Sequence, residues 1–267
     1  MSTKYQTLDH PLPPKETLPT MEDLPSEQIG DPGVPDFFHL WQPRLLEDTF
    51  QSPVYAPEEI CIAADVNLYF NVHNTGQCKR PDWFVAVGVK NGRKLRDSYV
   101  IWQEGTAPMI IVEFLSESTK DEDLGKSRPR KLGESPSKWE VYEQILRVPY
   151  YVLFSRHTDE LKILKLSGTR YEEVLNHQGR FWFEEIELGL GLWEGSYHDN
   201  HRLWLRWYDK SGHWIPHLDE RLEQERREKE SALRRAEQAE QKAIEAEQKA
   251  ARLAELLRQL GQDPDQI

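Results

Sequence analysis

Two acidic residues of this 267-residue chain stand in apolar segments that have the composition of β-strands. Asp82 immediately precedes the apolar stretch 83–89, and Glu113 lies within the stretch 109–115. A buried carboxylate is costly unless it is hydrogen-bonded, paired with a cation or bound to a metal. If the two predicted strands are neighbours in one sheet, both carboxylates can bind the same cation. This pair is the most informative chemical feature of the sequence.

A pair of carboxylates meets the needs of Mg²⁺, which is typically held by one or two carboxylates and keeps several water molecules. Mn²⁺ accepts similar oxygen ligands. Such a cation polarises a phosphate and lowers the pKa of a bound water, which is the chemistry of phosphodiester hydrolysis. Asp82 and Glu113 are therefore predicted metal ligands. Each also has a structural explanation, Asp82 as a turn residue after Pro81 and Glu113 as one half of an ion pair.

Two helices are predicted near these strands. One covers residues 137–146, because Ser137 can cap its N-terminus and Glu140 completes a capping box. The other covers residues 37–50, where apolar residues recur at helical spacing after a cap at Asp36. Both helices are expected to pack on the sheet that carries the two acids.

The predicted strands are short segments rich in β-branched and aromatic residues. Segment 120–136 has charges, Gly and Pro but no period, which is typical of a loop. Strands before a helix, followed by further strands, indicate an α+β fold. The predicted strands lie at 60–72, 83–89, 99–102, 109–115, 150–155 and 161–166.

Composition changes along the chain and predicts its domain organisation. The net charge of −12 is partly carried by the first 36 residues, which hold seven acidic and two basic residues. No strongly basic face is indicated elsewhere, which weakens a prediction of tight DNA binding. The predicted segments are a flexible acidic, Pro-rich arm (1–36), the α+β domain (37–216), a coiled-coil helix (217–261) and a disordered tail (262–267).

The expected compartment is the cytoplasm. Cys61 and Cys78 make neither a disulfide framework nor a zinc motif with nearby His, which is typical of a reduced intracellular protein. No apolar run approaches the roughly 20 residues that span a bilayer. The first residues lack the apolar core of a signal peptide. We therefore expect no contact with a membrane.

The C-terminal segment has a heptad pattern of about four repeats, with small and apolar residues spaced alternately by four and three. This predicts a coiled coil through residues 217–260 that joins two copies of the chain, because homodimers are the commonest assemblies. The alternative is a solvated single helix. In either case the helix is expected to end at Gly261. The seam consists of Ala232, Ala236, Ala239, Ala243, Ala246, Ala250, Leu253, Leu257 and Leu260.

Five motifs follow one another in an order that resembles a known family. They are Pro81-Asp82, then Val112-Glu113-Phe114-Leu115-Ser116 with Ser118-Thr119, then Asp123, then Lys138 with Tyr142, then Val148-Pro149-Tyr150-Tyr151. Over roughly residues 37–195, the chain resembles the Uma-type restriction endonuclease family of the PD-(D/E)XK nuclease superfamily. The resemblance implies a restriction-endonuclease-like core, in which helices flank a mixed central sheet that carries a metal site at one end.

The resemblance also implies roles for individual residues. Asp82 and Glu113 would bind the metal, and Lys138 would assist the attacking water. The lysine that the superfamily places two residues after the acid is absent, since Leu115 stands there. Lys138 on the following helix matches the position that replaces it in this family, although the link from Asp123 is longer than usual. Supporting positions are Asp123, Tyr142, His39 and Ser116.

Two hypotheses follow from these observations. The first is a metal-dependent endonuclease that uses Mg²⁺ or Mn²⁺ and cuts DNA. The second is an inactive nuclease-fold protein that acts through its coil as an interaction module. Each residue also has a simpler explanation: Asp123 as a solvated or capping residue, Lys138 as a surface lysine and His39 as a structural histidine. Only their combination favours the first hypothesis.

Overall fold

The computed structural model describes residues 17–20, 23–24, 36–116, 120–126, 134–174 and 179–259. The chain divides into two compact units, Met1–Ile215 and Pro216–Ile267. Several predictions fall outside the described residues: most of the arm at 1–36, the motif residues Ser118 and Thr119, the seam residue Leu260, the stop signal at Gly261 and the tail at 262–267.

A six-stranded sheet forms the centre of the first unit. Its strands are β1 (Ile60–Ala63), β4 (Trp83–Val87), β6 (Ile110–Phe114), β7 (Tyr150–Phe154), β8 (Leu161–Ser167) and β9 (Arg170–Glu173). Their spatial order is β1-β4-β6-β7-β8-β9. The β6–β7 pair is parallel and the other neighbours are antiparallel. The mixed central sheet predicted from the sequence is therefore confirmed.

A small three-stranded sheet corrects two of the predicted strands. It contains β2 (Leu68–Tyr69), β3 (Cys78–Lys79) and β5 (Tyr99–Val100), in the order β3-β2-β5. The strand predicted at 60–72 is broken into two, because Asp65 takes the left-handed backbone conformation at φ 54°. The strand predicted at 99–102 ends at Val100, and the short helix α2 (Ile101–Glu104) follows.

A third sheet was not among the predicted strands. It contains β10 (Arg180–Phe183), β11 (Leu188–Tyr197) and β12 (Asn200–Tyr208), all antiparallel. Phe183 and Trp207 of this sheet are buried in the same cluster as Trp83 and Val112 of the central sheet. One face of the central sheet is therefore covered largely by this third sheet and not by helices alone.

Helix α1 (Phe37–Thr49) packs on that same face. Its N-cap is Asp36, whose Oδ1 accepts hydrogen bonds from the backbone N–H groups of Phe38 at 2.8 Å and His39 at 3.2 Å, as predicted. Leu45 and Leu46 are fully buried in the cluster. The predicted helix thus forms and ends one residue earlier than expected.

The opposite face of the central sheet receives the helical segment that carries Lys138. This segment begins as α4 (Lys138–Glu140), with Ser137 as N-cap and the predicted capping box, and continues as a π-helix (Val141–Ile145). The predicted loop at 120–136 contains one turn of helix, α3 (Lys120–Asp123). The buried side chains of this face come from the sheet and from the π-helix, and include Phe84, Ile111, Val141, Tyr142, Tyr151 and Leu153.

Little of the predicted N-terminal arm is described, but that part is packed. Leu24 is buried with Tyr69 and Val100. The indole N–H of Trp102 donates a 2.8 Å hydrogen bond to the carbonyl of Pro19. These two contacts attach the described part of the arm to the small sheet and to α2.

The second unit contains one long helix, α5 (Leu218–Gln259), of 42 residues. None of its described residues is buried. The continuous helix predicted at this end of the chain is therefore confirmed over the described residues. No described helix is both long enough and apolar enough to cross a membrane.

Gly189 of β11 gives a test of the third sheet. It lies opposite Tyr208, whose ring fills the space that a Cβ at residue 189 would need. We expect Gly189→Ala to lower the free energy of unfolding by about 1–3 kcal/mol, because overpacking forces the ring to move. Urea unfolding would measure this. Gly76→Ala is the control, since a Cβ there meets only Asn74 Oδ1 at 3.5 Å. Equal effects of the two substitutions would contradict the packing argument.

Candidate metal and catalytic site

The register of the central sheet places Asp82 and Glu113 at the same end of adjacent strands. Trp83 pairs with Val112, so the next position along the ladder brings Asp82 opposite Glu113. The backbone N–H of Asp82 donates to Glu113 Oε2 at 3.3 Å. The backbone N–H of Phe114 donates to Asp82 Oδ2 at 2.5 Å. Each acid is thus held by the strand that carries the other.

Glu113 is fully buried, and both of its carboxylate oxygens accept hydrogen bonds. The Lys138 ammonium donates to Oε2 at 2.8 Å, and the Tyr142 hydroxyl donates to Oε1 at 2.9 Å. Lys138 and Tyr142 are four residues apart, which places both on one side of the helical segment. The sequence pairing of Lys138 with Tyr142 therefore corresponds to two donors that bind one carboxylate.

Lys138 is positioned by the segment before it. Its backbone N–H donates to Glu122 Oε1 at 2.9 Å, and its ammonium lies 3.4 Å from Asp123 Oδ1. Asp123 is 1% exposed, and its carbonyl accepts a 3.2 Å hydrogen bond from the Tyr151 hydroxyl. Asp123 is therefore not a solvated loop residue. Lys138 is not a surface lysine either, because its side chain is 16% exposed.

Two further predicted site residues do not contact the Glu113 carboxylate. The His39 ring packs edge-on against Phe114, with ring centroids 5.8 Å apart, and its Nδ1 lies 3.1 Å from Asp36 Oδ1. Ser116 follows β6, and its carbonyl accepts a hydrogen bond from the N–H of Lys120 at 2.9 Å. His39 thus has the contacts of a structural histidine, and Ser116 helps to begin the turn that carries Asp123.

Burial and neighbouring charges shift the acid–base equilibria of the cluster. Burial raises the pKa of Glu113 well above its usual range, with Lys138 opposing the rise and Asp82 and Asp123 adding to it. Burial also opposes ionisation of Lys138, but Glu113, Asp123 and Asp82 raise its pKa above the ordinary value. Lys138 therefore remains an ammonium at neutral pH.

Four residues near Asp82 and Lys138 were not identified from the sequence. Asp65 donates its backbone N–H to the Pro81 carbonyl at 3.1 Å. Arg80 also binds Asp65: its Nε donates to the Asp65 carbonyl at 3.0 Å and lies 2.7 Å from Asp65 Oδ1. Glu122 joins Lys138 to the Lys79 ammonium, 3.3 Å away. The signal in the sequence is that Lys79 and Arg80 immediately precede the Pro81-Asp82 motif.

The chemistry of the donors fits a hard divalent cation. Asp82 and Glu113 offer only oxygen atoms, and Mg²⁺ is commonly held by one or two carboxylates with water completing its shell. Within the described residues, no group of three or more His, Cys, Asp and Glu side chains could hold a metal ion together. Sites that need several His or Cys ligands are therefore not indicated there, whereas a two-carboxylate site fits.

Comparison with known protein families identifies the chain. Residues 8–195 match the Uma2 family, described as "putative restriction endonuclease", within the PD-(D/E)XK superfamily. The chain belongs to the Uma2 family. The match confirms the resemblance seen in the motifs and begins at residue 8, earlier than the motifs themselves indicate. It gives no support to the hypothesis of an inactive interaction module. No curated protein matches the chain.

Glu113 predicts a specific pH dependence of stability for the metal-free protein. Its folded-state pKa lies above its unfolded value, so its contribution is present below about pH 4.5 and is lost as pH rises toward the folded pKa. We expect wild type to lose stability relative to Glu113→Gln over this range, by at most about 1.4 kcal/mol per pH unit.

Urea unfolding at several pH values between about 4.5 and 7 would measure the difference between the two proteins. Glu172→Gln, which changes an exposed acid on β9, is the control and should follow wild type at every pH. Parallel stability curves for wild type and Glu113→Gln would contradict the assignment of a raised pKa to this carboxyl.

Proposed function

We propose that this Uma2-family protein is a metal-dependent endonuclease that hydrolyses phosphodiester bonds in DNA. Asp82 and Glu113 bind Mg²⁺ or Mn²⁺, and Lys138 assists the attacking water. The observation that carries this proposal is the fully buried Glu113 carboxylate beside Asp82, with the Lys138 ammonium at 2.8 Å. When bound, the cation supplies polarisation of the phosphate and a water of lowered pKa.

The side chains around the two carboxylates have separate tasks. Tyr142 fixes Glu113 by its hydrogen bond to Oε1, which leaves the carboxylate one orientation. Asp123, 3.4 Å from the Lys138 ammonium, helps to hold that ammonium beside Glu113. Because the pKa of Lys138 is raised, its ammonium donates hydrogen bonds and stabilises negative charge on the phosphate. In this protonated form it orients the attacking water.

Loss of Asp82 is the direct test of the metal site. We expect Asp82→Ala to weaken Mn²⁺ binding and to reduce cleavage of DNA by at least about a hundredfold, since weaker losses accompany changes to mere supporting residues. Binding is measured by titration of the full-length protein with Mn²⁺. Cleavage is measured on mixed DNA substrates with Mg²⁺ or Mn²⁺ at low salt, because phosphate contacts weaken steeply as salt rises.

Asp97→Ala is a matched control, because Asp97 is exposed and lies outside the carboxylate cluster. It should bind Mn²⁺ and cleave DNA as wild type does. Wild-type protein that binds neither cation would overturn the metal site. Cleavage of RNA but not of DNA would leave the metal site standing and overturn the choice of substrate.

The proposed assembly is a homodimer through residues 217–260, working in the cytoplasm. All described residues of α5 lack burial within the chain, so its alanine and leucine seam is available to a second copy. A dimer also suits the cutting of both strands of a duplex. The reduced compartment agrees with Cys61 and Cys78, which are both free thiols.

Truncation after residue 216 separates metal binding by the first unit from dimerisation through α5. The first unit contains the buried clusters and all the proposed site residues, so it should fold and bind Mn²⁺ with unchanged affinity. Its mass by light scattering should be that of one chain, whereas the full-length protein should have twice the mass of its chain. Full-length protein that scatters as a monomer would overturn the dimer and leave α5 as a solvated helix or a docking site for another protein.

A further inference from the structure

The heptad positions of α5 follow from its seam. In a heptad abcdefg the step from a to d is three residues, which places Ala232, Ala239 and Ala246 at d and Ala236 and Ala243 at a. The residues that flank this seam occupy positions e and g. In a two-stranded coil, residues at e and g reach across to the partner helix and set the orientation of the pair.

The two flanks of the seam carry opposite charges. Between residues 235 and 249, every g position is basic, at Arg235, Lys242 and Lys249, and every e position is acidic, at Glu240 and Glu247. From Ala232 onward, the next e and g positions on either side are apolar, at Leu233, Ala254 and Leu256. A helix that evolved only for solubility would need no such separation, because charges of both signs anywhere on its surface serve that purpose. The segregation therefore indicates that these charges are matched to another helix.

The contacts within α5 point the same way. On the outer face, Arg227 bonds to Glu223 at 2.5 Å and Gln241 bonds to Glu245 at 3.2 Å, each four residues apart. One residue beside the seam, Glu228, accepts a 2.9 Å hydrogen bond from Gln224 in the same helix. From Ala232 onward, four side chains beside the seam have no hydrogen-bond or ion-pair partner within the described part of the chain, so they are available to another helix: Arg235, Glu240, Lys242 and Glu247.

We propose that α5 forms a parallel, in-register coiled coil with a second copy of the chain. In a parallel pair, g of one helix meets e of the next heptad in the other, so Arg235 faces Glu240 and Lys242 faces Glu247. By symmetry each pair occurs twice. In an antiparallel pair g meets g and e meets e, so with the alanine seams overlapped Lys242 would face a basic residue and Glu240 an acidic one.

The paired region begins at Ala232. One heptad earlier, the seam positions hold Glu225 and Lys229, and a parallel pair would bring each against its own copy. Like charges at the centre of a coil repel, so residues before Ala232 are excluded from the tight part of the seam. The remaining described helix, up to Gln259, spans about four heptads.

This inference deepens the proposed function, because orientation decides whether two sites can act together. In a parallel coil the two chains enter at the same end, with helix axes about 10 Å apart. In an antiparallel coil the 42-residue helices would place the two Leu218 residues at opposite ends, about 60 Å apart. Only the parallel arrangement attaches both nuclease units to the same end of the coil.

A distance measurement between the two copies tests orientation. A spin label is attached to Glu230→Cys in the full-length chain, with Cys61→Ala and Cys78→Ser removing the other thiols. Position 230 lies at b, outside the seam. We expect a backbone separation of about 10 Å, against about 35 Å for antiparallel helices whose alanine seams overlap. The longer distance, or a monomer by light scattering, overturns the proposal.

Charge reversal tests the cause. In Glu240→Lys/Glu247→Lys every facing pair becomes repulsive. We therefore expect the dissociation constant of the dimer to rise at least about tenfold. Glu237→Lys/Glu245→Lys makes the same change in net charge at positions b and c and should leave the dimer unchanged. Mixing the first variant with Arg235→Glu/Lys242→Glu should restore pairing.

These measurements keep the coil distinct from the nuclease site. None of the variants touches Asp82 or Glu113, so Mn²⁺ binding should persist whether or not the coil dissociates. Loss of pairing with intact metal binding would bear only on the coiled-coil proposal. Absence of metal binding in wild type would overturn only the proposed nuclease site. If the e and g reversals and the b and c reversals weakened the dimer equally, the e and g pairing would be overturned.

Discussion

The burial of one carboxylate constrains the rest of the first unit. Glu113 lies near the end of an inner strand of a sheet with hydrophobic residues on both faces, where an ionised acid without partners would be strongly disfavoured. It is tolerated because the Asp82 backbone, Lys138 and Tyr142 all donate hydrogen bonds to it. Those donors come from a neighbouring strand and from the helical segment that covers the sheet. Their positions therefore depend on where that segment packs.

The sequence was sufficient wherever the signal is local. Apolar stretches predicted β4, β6 and β7 within two residues of their observed bounds. The N-cap at Asp36 predicted the start of α1, and the capping box at Ser137 predicted the start of α4. The same features placed Asp82 and Glu113 beside or within strands, and the pairing of β4 with β6 in the structure makes those strands neighbours. Lys138 came from the order of motifs, because no local property distinguishes a lysine beside a buried carboxylate from one at the surface.

The remaining features depend on contacts between distant segments. The break between β1 and β2 arises because Asp65 contacts Arg80 and Pro81, which lie at the start of another strand. The third sheet escaped prediction because glycines weaken the strand pattern of β11. In the folded chain those glycines make room for aromatic rings, as Gly189 does for Tyr208. Periodicity along the chain cannot reveal a space that a distant side chain fills.

The charge balance of the site links cation binding to substrate binding. Asp82, Glu113 and Asp123 bring three carboxyl groups to the Lys138 ammonium. The Lys79 ammonium and the Arg80 guanidinium nearby are already paired with Glu122 and Asp65. A phosphodiester is an anion, so it would be repelled from this region when the carboxyl groups are ionised. A divalent cation bound by Asp82 and Glu113 would reverse the sign of the charge at this site.

On the proposed function, cation and nucleic acid must therefore bind with positive coupling, and each must raise the affinity for the other by the same factor. The acidic character of the whole chain is then compatible with an anionic substrate, because the attraction comes from the bound cation and not from a basic surface.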